Sequence, residues 1–153
     1  MKSFKLKTIE IVNASKLLDE AKYTELSDID KVKLWKLSRK FSSIAEKYKE
    51  EEADANKTLI PSVDFFKDVQ RAIQYQNEVD NGVENPCMTK EEHDKIAQEY
   101  NKQQRLINEA LKELQEKEEE IEIDMLSEDG IGKLMSSNDW KIKELEPIAF
   151  LID

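Results

Sequence analysis

The stretch "KELQEKEEEIEIDML", Lys112 to Leu126, decides the fold, because its period changes partway along. Up to Glu119 it reads as helix. From Ile121 onward, Ile121, Ile123 and Met125 alternate with Glu122 and Asp124, the two-residue repeat of a strand. A lone strand leaves its backbone unpaired, so this one needs a partner. A candidate partner is expected at the other end of the chain. "SFKLKTIEI", Ser3 to Ile11, sets Phe4 and Leu6 on one side of an extended segment and predicts a strand that pairs with the later one into a small ribbon.

Upstream of the period change lies a long helix. Thr89 followed three residues later by Glu92 is the capping-box pattern that opens it. His93, Ile96, Tyr100, Gln103, Ile107, Ala110, Leu114, Lys117 and Ile121 then repeat at 3-4 spacing, with Leu106 and Leu111 beside them. A second seam of similar length starts at Ser27 or Asp28. Leu34, Leu37, Phe41, Ile44, Tyr48 and Ala55 carry it, with Glu51 as a polar default, and Pro61 ends it. Val32 and Trp35 widen its stripe, as on a helix that faces a core. Two seams of this length are most simply buried against each other in an antiparallel hairpin.

The remaining segments are shorter. Asn13 is placed to cap a helix through "ASKLLDEAKY" that buries Leu17 and Leu18. "SVDFFKDVQRAIQYQ" repeats Phe66, Val69 and Ile73 at helical spacing, before a turn-forming "DNGVENP". "SEDGIGK" reads as a turn, and Asn138 as the cap of a short helix through Leu145, ended by Pro147. The expected architecture is mainly α: a coiled-coil-like antiparallel hairpin of long helices with short extra helices and a two-stranded β ribbon. It is read as one domain over 1–153, with a strand and short helix in 1–27, a long helix in 28–60 and a short helix and loop in 61–88. A long helix in 89–119 follows, then a strand, turn and short helix in 120–153.

Charge and cysteine content narrow the function. Residues 1–60 carry thirteen basic against eleven acidic side chains, 61–89 two against five, and 90–153 nine against eighteen. The acidity belongs to the last third, which disfavours general nucleic-acid binding, although a local basic strip could sit in the first third. One cysteine, Cys87, and one histidine, His93, exclude an intramolecular disulfide and a cysteine-rich zinc site. With no apolar run of signal-peptide or membrane-spanning length, a soluble protein in a reducing compartment is expected.

No chemistry-bearing motif emerges. Glu118, Glu119, Glu120, Glu122 and Asp124 lack the Asp-x-Asp-x-Asp-Gly order of a calcium loop and read as a solvated acidic face. "EDGIGK" lacks the order that cradles phosphates. His93 has no sequence cue for a nucleophile beside it, and Cys87 reads as an incidental thiol. No catalytic residue, cofactor or metal is expected. Trp35 and Trp140 are the candidate interface anchors, with partly buried core positions as the plainer reading.

The order of pieces "LKTIEIVNASKLL", "KLWKLSRKFSSIAEKYKEEE", "LQEKEEEIEIDML" and "ELEPIAFLI" resembles a family of small, acidic, helical proteins of tailed bacteriophages and prophages, described only as of unknown function. Leu145-Glu146-Pro147 followed by apolar residues is the most particular part. The segment 61–88 departs from the family in being longer and more aromatic. The resemblance implies a phage origin and supplies no catalytic residues. It favours a non-enzymatic virion structural or assembly component, such as a head–tail connector or ring, acting on other phage structural proteins or on itself as a homo-oligomer. The host cytoplasm or the virion would be its location. The alternative is an acidic inhibitor that mimics DNA, or otherwise counters host defence, by binding a basic host protein through the run 118–124.

Overall fold

The structure is a computed structural model that describes residues 1–59 and 63–152. In chain order it comprises β1 (Lys2–Lys7), α1 (Thr8–Glu20), α2 (Asp28–Leu59), α3 (Val63–Asp80), α4 (Lys90–Glu116), β2 (Glu118–Ile123), α5 (Glu128–Ser137) and a 3₁₀ run, Ile142–Leu151. Helix predominates and the strands form a two-stranded antiparallel ribbon, so the chain is mainly α with a small β element, as its periodicities imply. The long helices start and stop within a few residues of expectation. The proposed stop at Pro61 lies outside the described residues.

The chain folds as two compact units, Met1–Glu51 with Glu113–Asp153, and Glu52–Lys112. In the first, α1 contributes Ile11, Ala14 and Leu18, α2 contributes Leu34, Leu37 and Phe41, and β2 contributes Ile121 and Ile123. Leu26, Leu126, Leu134, Leu145, Ile148 and Leu151 complete this core. Phe41 is fully buried, with Phe150 against it at a ring separation of 5.8 Å in an edge-on arrangement. α2 turns Leu34, Leu37, Phe41, Ala45 and Tyr48 inward, with Ile44 half-buried against the same core. The Tyr48 hydroxyl accepts a hydrogen bond from Gln115 Nε2 at 2.7 Å, tying α2 to the end of α4.

The ribbon sets its register by charge as well as by the apolar alternation. Phe4 pairs with Ile121 on the core side, while Lys5 faces Glu120 and Lys7 faces Glu118 on the other. A slip of one residue would turn the isoleucines outward and oppose unlike groups. β2 begins at Glu118, three residues before the first apolar member of its repeat, because the partner strand reaches that far.

Four boundary readings differ from expectation. α1 starts at Thr8, so Ile9 and Ile11 are helical and Asn13 caps nothing. The Thr8 N–H and Oγ–H both donate to Lys117 O, at 2.8 and 3.1 Å, and the Glu10 carboxylate accepts from Lys7 N–H at 2.7 Å. These partners fix the start five residues early, and Ile11, Ala14, Ser15 and Leu18 then share the buried face. "SEDGIGK" belongs to α5 rather than to a turn, because the Ser127 hydroxyl accepts from Gly130 N–H at 3.0 Å as its N-cap. Asn138 consequently closes α5 instead of opening the next helix. Its amide donates to Leu134 O and Lys22 O and accepts from Lys22 N–H, pinning the α1–α2 loop. Pro147 sits inside the 3₁₀ run, which kinks at Ile148.

The second unit has a small core of Ala72, Tyr75 and Met88, with Cys87 and Ile96 packed against it. α4 buries Gln103, Ile107 and Leu111, a four-residue step. The expected seam positions Tyr100 and Ala110 are exposed, since a strict heptad pattern drifts around a straight helix. α3 ends through Gly82, whose φ of 72° admits the left-handed turn that lets Val83 N–H reach Glu78 O at 3.0 Å.

Candidate interaction surface

The acidic run is more heavily partnered than its sequence suggests. Glu118, Glu120 and Glu122 lie on the solvent face of β2, where Lys7, Lys5 and Ser3 stand opposite them. Ser3 Oγ donates to Glu120 Oε1 at 3.0 Å, and Lys117 Nζ lies 3.2 Å from Glu119 Oε1. Lys7 reaches back to Glu116 at 2.7 Å. Its ammonium is held above the ordinary range by that hydrogen bond and by the charge of the same carboxylate. Asp124 is half-buried beyond the strand end. Among the described residues no group of three or more His, Cys, Asp or Glu side chains could hold a metal ion. What remains is a ribbon face on which lysines of β1 stand opposite glutamates of β2.

The two tryptophans separate. Trp140 is half-buried and packs against the first core, placed there by the α5 turn in which its N–H reaches Met135 O at 3.1 Å. Trp35 is 58% exposed. Val32 at 50% and Ile29 at 71% continue its face of α2, so these side chains do not widen the core stripe as their spacing suggested. The core is already filled by Leu34, Leu37 and Phe41, and the same helical spacing half a turn away leaves a second apolar row facing water.

Cations rim this row. Between Lys31 and Ala45 the sequence holds Lys31, Lys33, Lys36, Arg39 and Lys40 and no carboxylate, so the first third does contain a local basic strip. Lys33 and Lys40 are committed to structure, donating to Met125 O and Glu122 O at 2.8 Å each. Lys31 lies 3.6 Å from Asp28. The Arg39 guanidinium lies over the Trp35 ring, 5.3 Å from its centroid, and Lys36 is exposed on the same face. A shallow pocket lined by Leu18, Tyr23, Leu34, Trp35 and Ser38 adjoins the ring. This arrangement can receive an apolar side chain and hold a negative charge beside it.

Elsewhere the chemistry is quiet. Cys87 is half-buried, with Sγ 3.4 Å from Arg71 O and its N–H donated to Glu78. Burial, then the Glu78 carboxylate, push its thiol above the ordinary range, which works against a nucleophilic role. His93 lies against Tyr75 with ring centroids 4.9 Å apart, and its Nδ1 is 3.2 Å from Asp94. An open groove between α1 and the 3₁₀ run contains Glu10 and Glu144, but both carboxylates are occupied by helix-start N–H groups, of Lys7 and Lys141. No described helix is long and apolar enough to cross a membrane.

Comparison with protein-family models, with curated proteins and with solved structures found no match to this chain.

Proposed function

We propose that this chain is a non-enzymatic bacteriophage protein that acts by protein–protein contact, in repeated copies, as a virion component or assembly factor such as part of a head–tail connector or ring. The phage context rests on the sequence resemblance. The observation that carries the contact role is that large apolar side chains stay in water after the cores have closed: Ile29, Val32 and Trp35 on α2, and Phe66 and Ile73 on α3. The α3 row is suited to a second copy of the chain, because Phe66, Val69, Gln70, Ile73 and Asn77 carry no charge and a protein of net charge −10 meets itself at least cost through an uncharged stripe.

The test is mass spectrometry of purified particles together with light scattering of the isolated protein. Peptides of this chain in particles, or a stable multimer, support the reading; absence from particles and from assembly intermediates, with a persistent monomer, would overturn it. The acidic-inhibitor alternative draws less support, since Lys5 and Lys7 oppose Glu120 and Glu118 within the ribbon.

A further inference from the structure

We infer that the exposed face of α2 around Trp35 is a docking site for an acidic amphipathic segment of a partner protein. This rests on the reading of the chain as a contact protein and names the partner's chemistry.

The argument is one of complementarity. Trp35 and Val32 supply fixed apolar area at the centre of the face, and the pocket between Tyr23, Leu18 and Trp35 is sized for a side chain rather than a cofactor. The Arg39 guanidinium lies 5.3 Å from the indole centroid and Lys36, next to Trp35 in sequence, is exposed, so a partner's carboxylates meet cations where its apolar residues meet the ring. Three acidic side chains of α1 and α2 have partners of their own. Asp28 lies beside Lys31, Asp30 is buried with Ser127, and Asp19 on α1 accepts from Ser38 Oγ at 3.4 Å.

The surrounding molecule sharpens the selection. Residues 90–153, with nine basic against eighteen acidic side chains, repel an acidic partner, whereas the interval from Lys31 to Ala45 is the longest acid-free interval of α2. An acidic partner is therefore steered to this face and away from the rest, while a basic segment would be drawn elsewhere. The same face could stack a nucleobase, but the wider negative field opposes a phosphate backbone.

The probe is a labelled synthetic peptide of about twenty residues with leucine and phenylalanine at helical spacing and glutamates between them, set beside an analogue with lysines in place of the glutamates. Fluorescence anisotropy against the full chain is expected to show saturable binding of the acidic peptide and not of the basic one. Trp35→Ala and the pair Lys36→Glu with Arg39→Glu should each weaken it roughly tenfold or more, with circular dichroism unchanged because all three side chains are exposed. Absence of binding, equal binding of the basic analogue, or indifference to these substitutions would overturn the inference. So would a single-stranded oligonucleotide binding more tightly through the same residues, or light scattering showing self-association that Trp35→Ala abolishes. Particle mass spectrometry reports separately on the underlying reading, so the two can fail independently.

Discussion

The Ser127 hydroxyl donates to the buried Asp30 carboxylate at 2.7 Å while accepting from Gly130 N–H at 3.0 Å, so one side chain caps α5 and satisfies a charge on α2. Asp30, 2% exposed, also accepts from Ser127 N–H at 3.3 Å and lies 3.7 Å from Lys33, which in turn donates to Met125 O. This knot binds the start of α2 to the junction between β2 and α5. Ser127→Ala removes the cap and one partner of the carboxylate and should cost about 2–3 kcal/mol in chemical unfolding. Asp30→Ala should cost at least as much, about 3 kcal/mol, because the hydroxyl and Lys33 lose a buried partner. Gly130→Ala should be comparably damaging, because an added Cβ would lie 2.9 Å from Asp30 Cγ and closer still to one of its oxygens. If Ser127→Ala unfolds at the wild-type denaturant concentration, the knot contributes nothing to stability.

The same carboxylate sets an acid limit. Burial pushes the Asp30 carboxyl up, but the Ser127 hydrogen bonds, then Ser27 and Lys33, outweigh it and leave it below the ordinary 3.8. Because the folded state binds this proton less readily than the unfolded chain, the stabilisation is fully present above the ordinary value and is lost as the pH falls through the lower folded one. Thermal melts taken from neutral pH downward should therefore show stability falling below about pH 4. Asp30→Asn, which has no proton to bind there, should lose stability less steeply over that interval. Equal slopes for the two proteins would mean other carboxylates carry the acid sensitivity.

Asp139 has a φ of 53°, the one positive-φ residue other than glycine among the described residues. It lies where α5 ends, just after Asn138, and allows Trp140 N–H to turn back to Met135 O. Asp139→Gly should relieve the left-handed penalty and stabilise the protein by about 0.5–1 kcal/mol, less than the full relief because glycine also frees the unfolded chain. For a chain of this size the midpoint should rise by about 1–4 °C in calorimetry. A lowered midpoint would show that the aspartate side chain contributes more than its backbone strain costs.

Much of the fold was legible because period survives without tertiary information. Leu34, Leu37 and Phe41, or Ile121 and Ile123, declare helix and strand by spacing alone. Element ends were less legible, because distant partners decide them. Thr8 starts α1 through Lys117 O, and Ser127 starts α5 while engaged with Asp30, both more than ninety residues apart in sequence. The interaction surface was half legible. Trp35 stood out as a residue type, but Ile29, Val32 and Trp35 share the helical spacing of the core row, and only the filled core shows which row faces out. The pairing of Lys5 and Lys7 with the glutamates was implicit in two complementary strands, yet it needs the register to become visible.

That register gives a charge-reversal test of the acidic run. Lys5→Glu should place like charges opposite Glu120 and cost about 0.5–1 kcal/mol. Glu120→Lys in the same chain should restore most of the loss, although Ser3 then lacks its acceptor. Chemical unfolding of the two single variants and the double variant closes the cycle. A coupling near zero would mean that the ribbon leaves its glutamates effectively free for a basic partner.

The last expectation concerns α3. Phe66 and Ile73, each 58% exposed and seven residues apart, flank Val69 and Gln70 on an uncharged row. An isologous contact places this row against its own copy, where every added charge is opposed by the same charge from the partner. Phe66→Glu combined with Ile73→Glu should therefore convert a multimer to a monomer in light scattering, at unchanged helical content, because neither side chain belongs to the core of Ala72, Tyr75 and Met88. Added salt should not strengthen the variant to wild-type association, since lost apolar burial accounts for most of the effect. A multimer that persists in the double variant would assign self-contact to another surface.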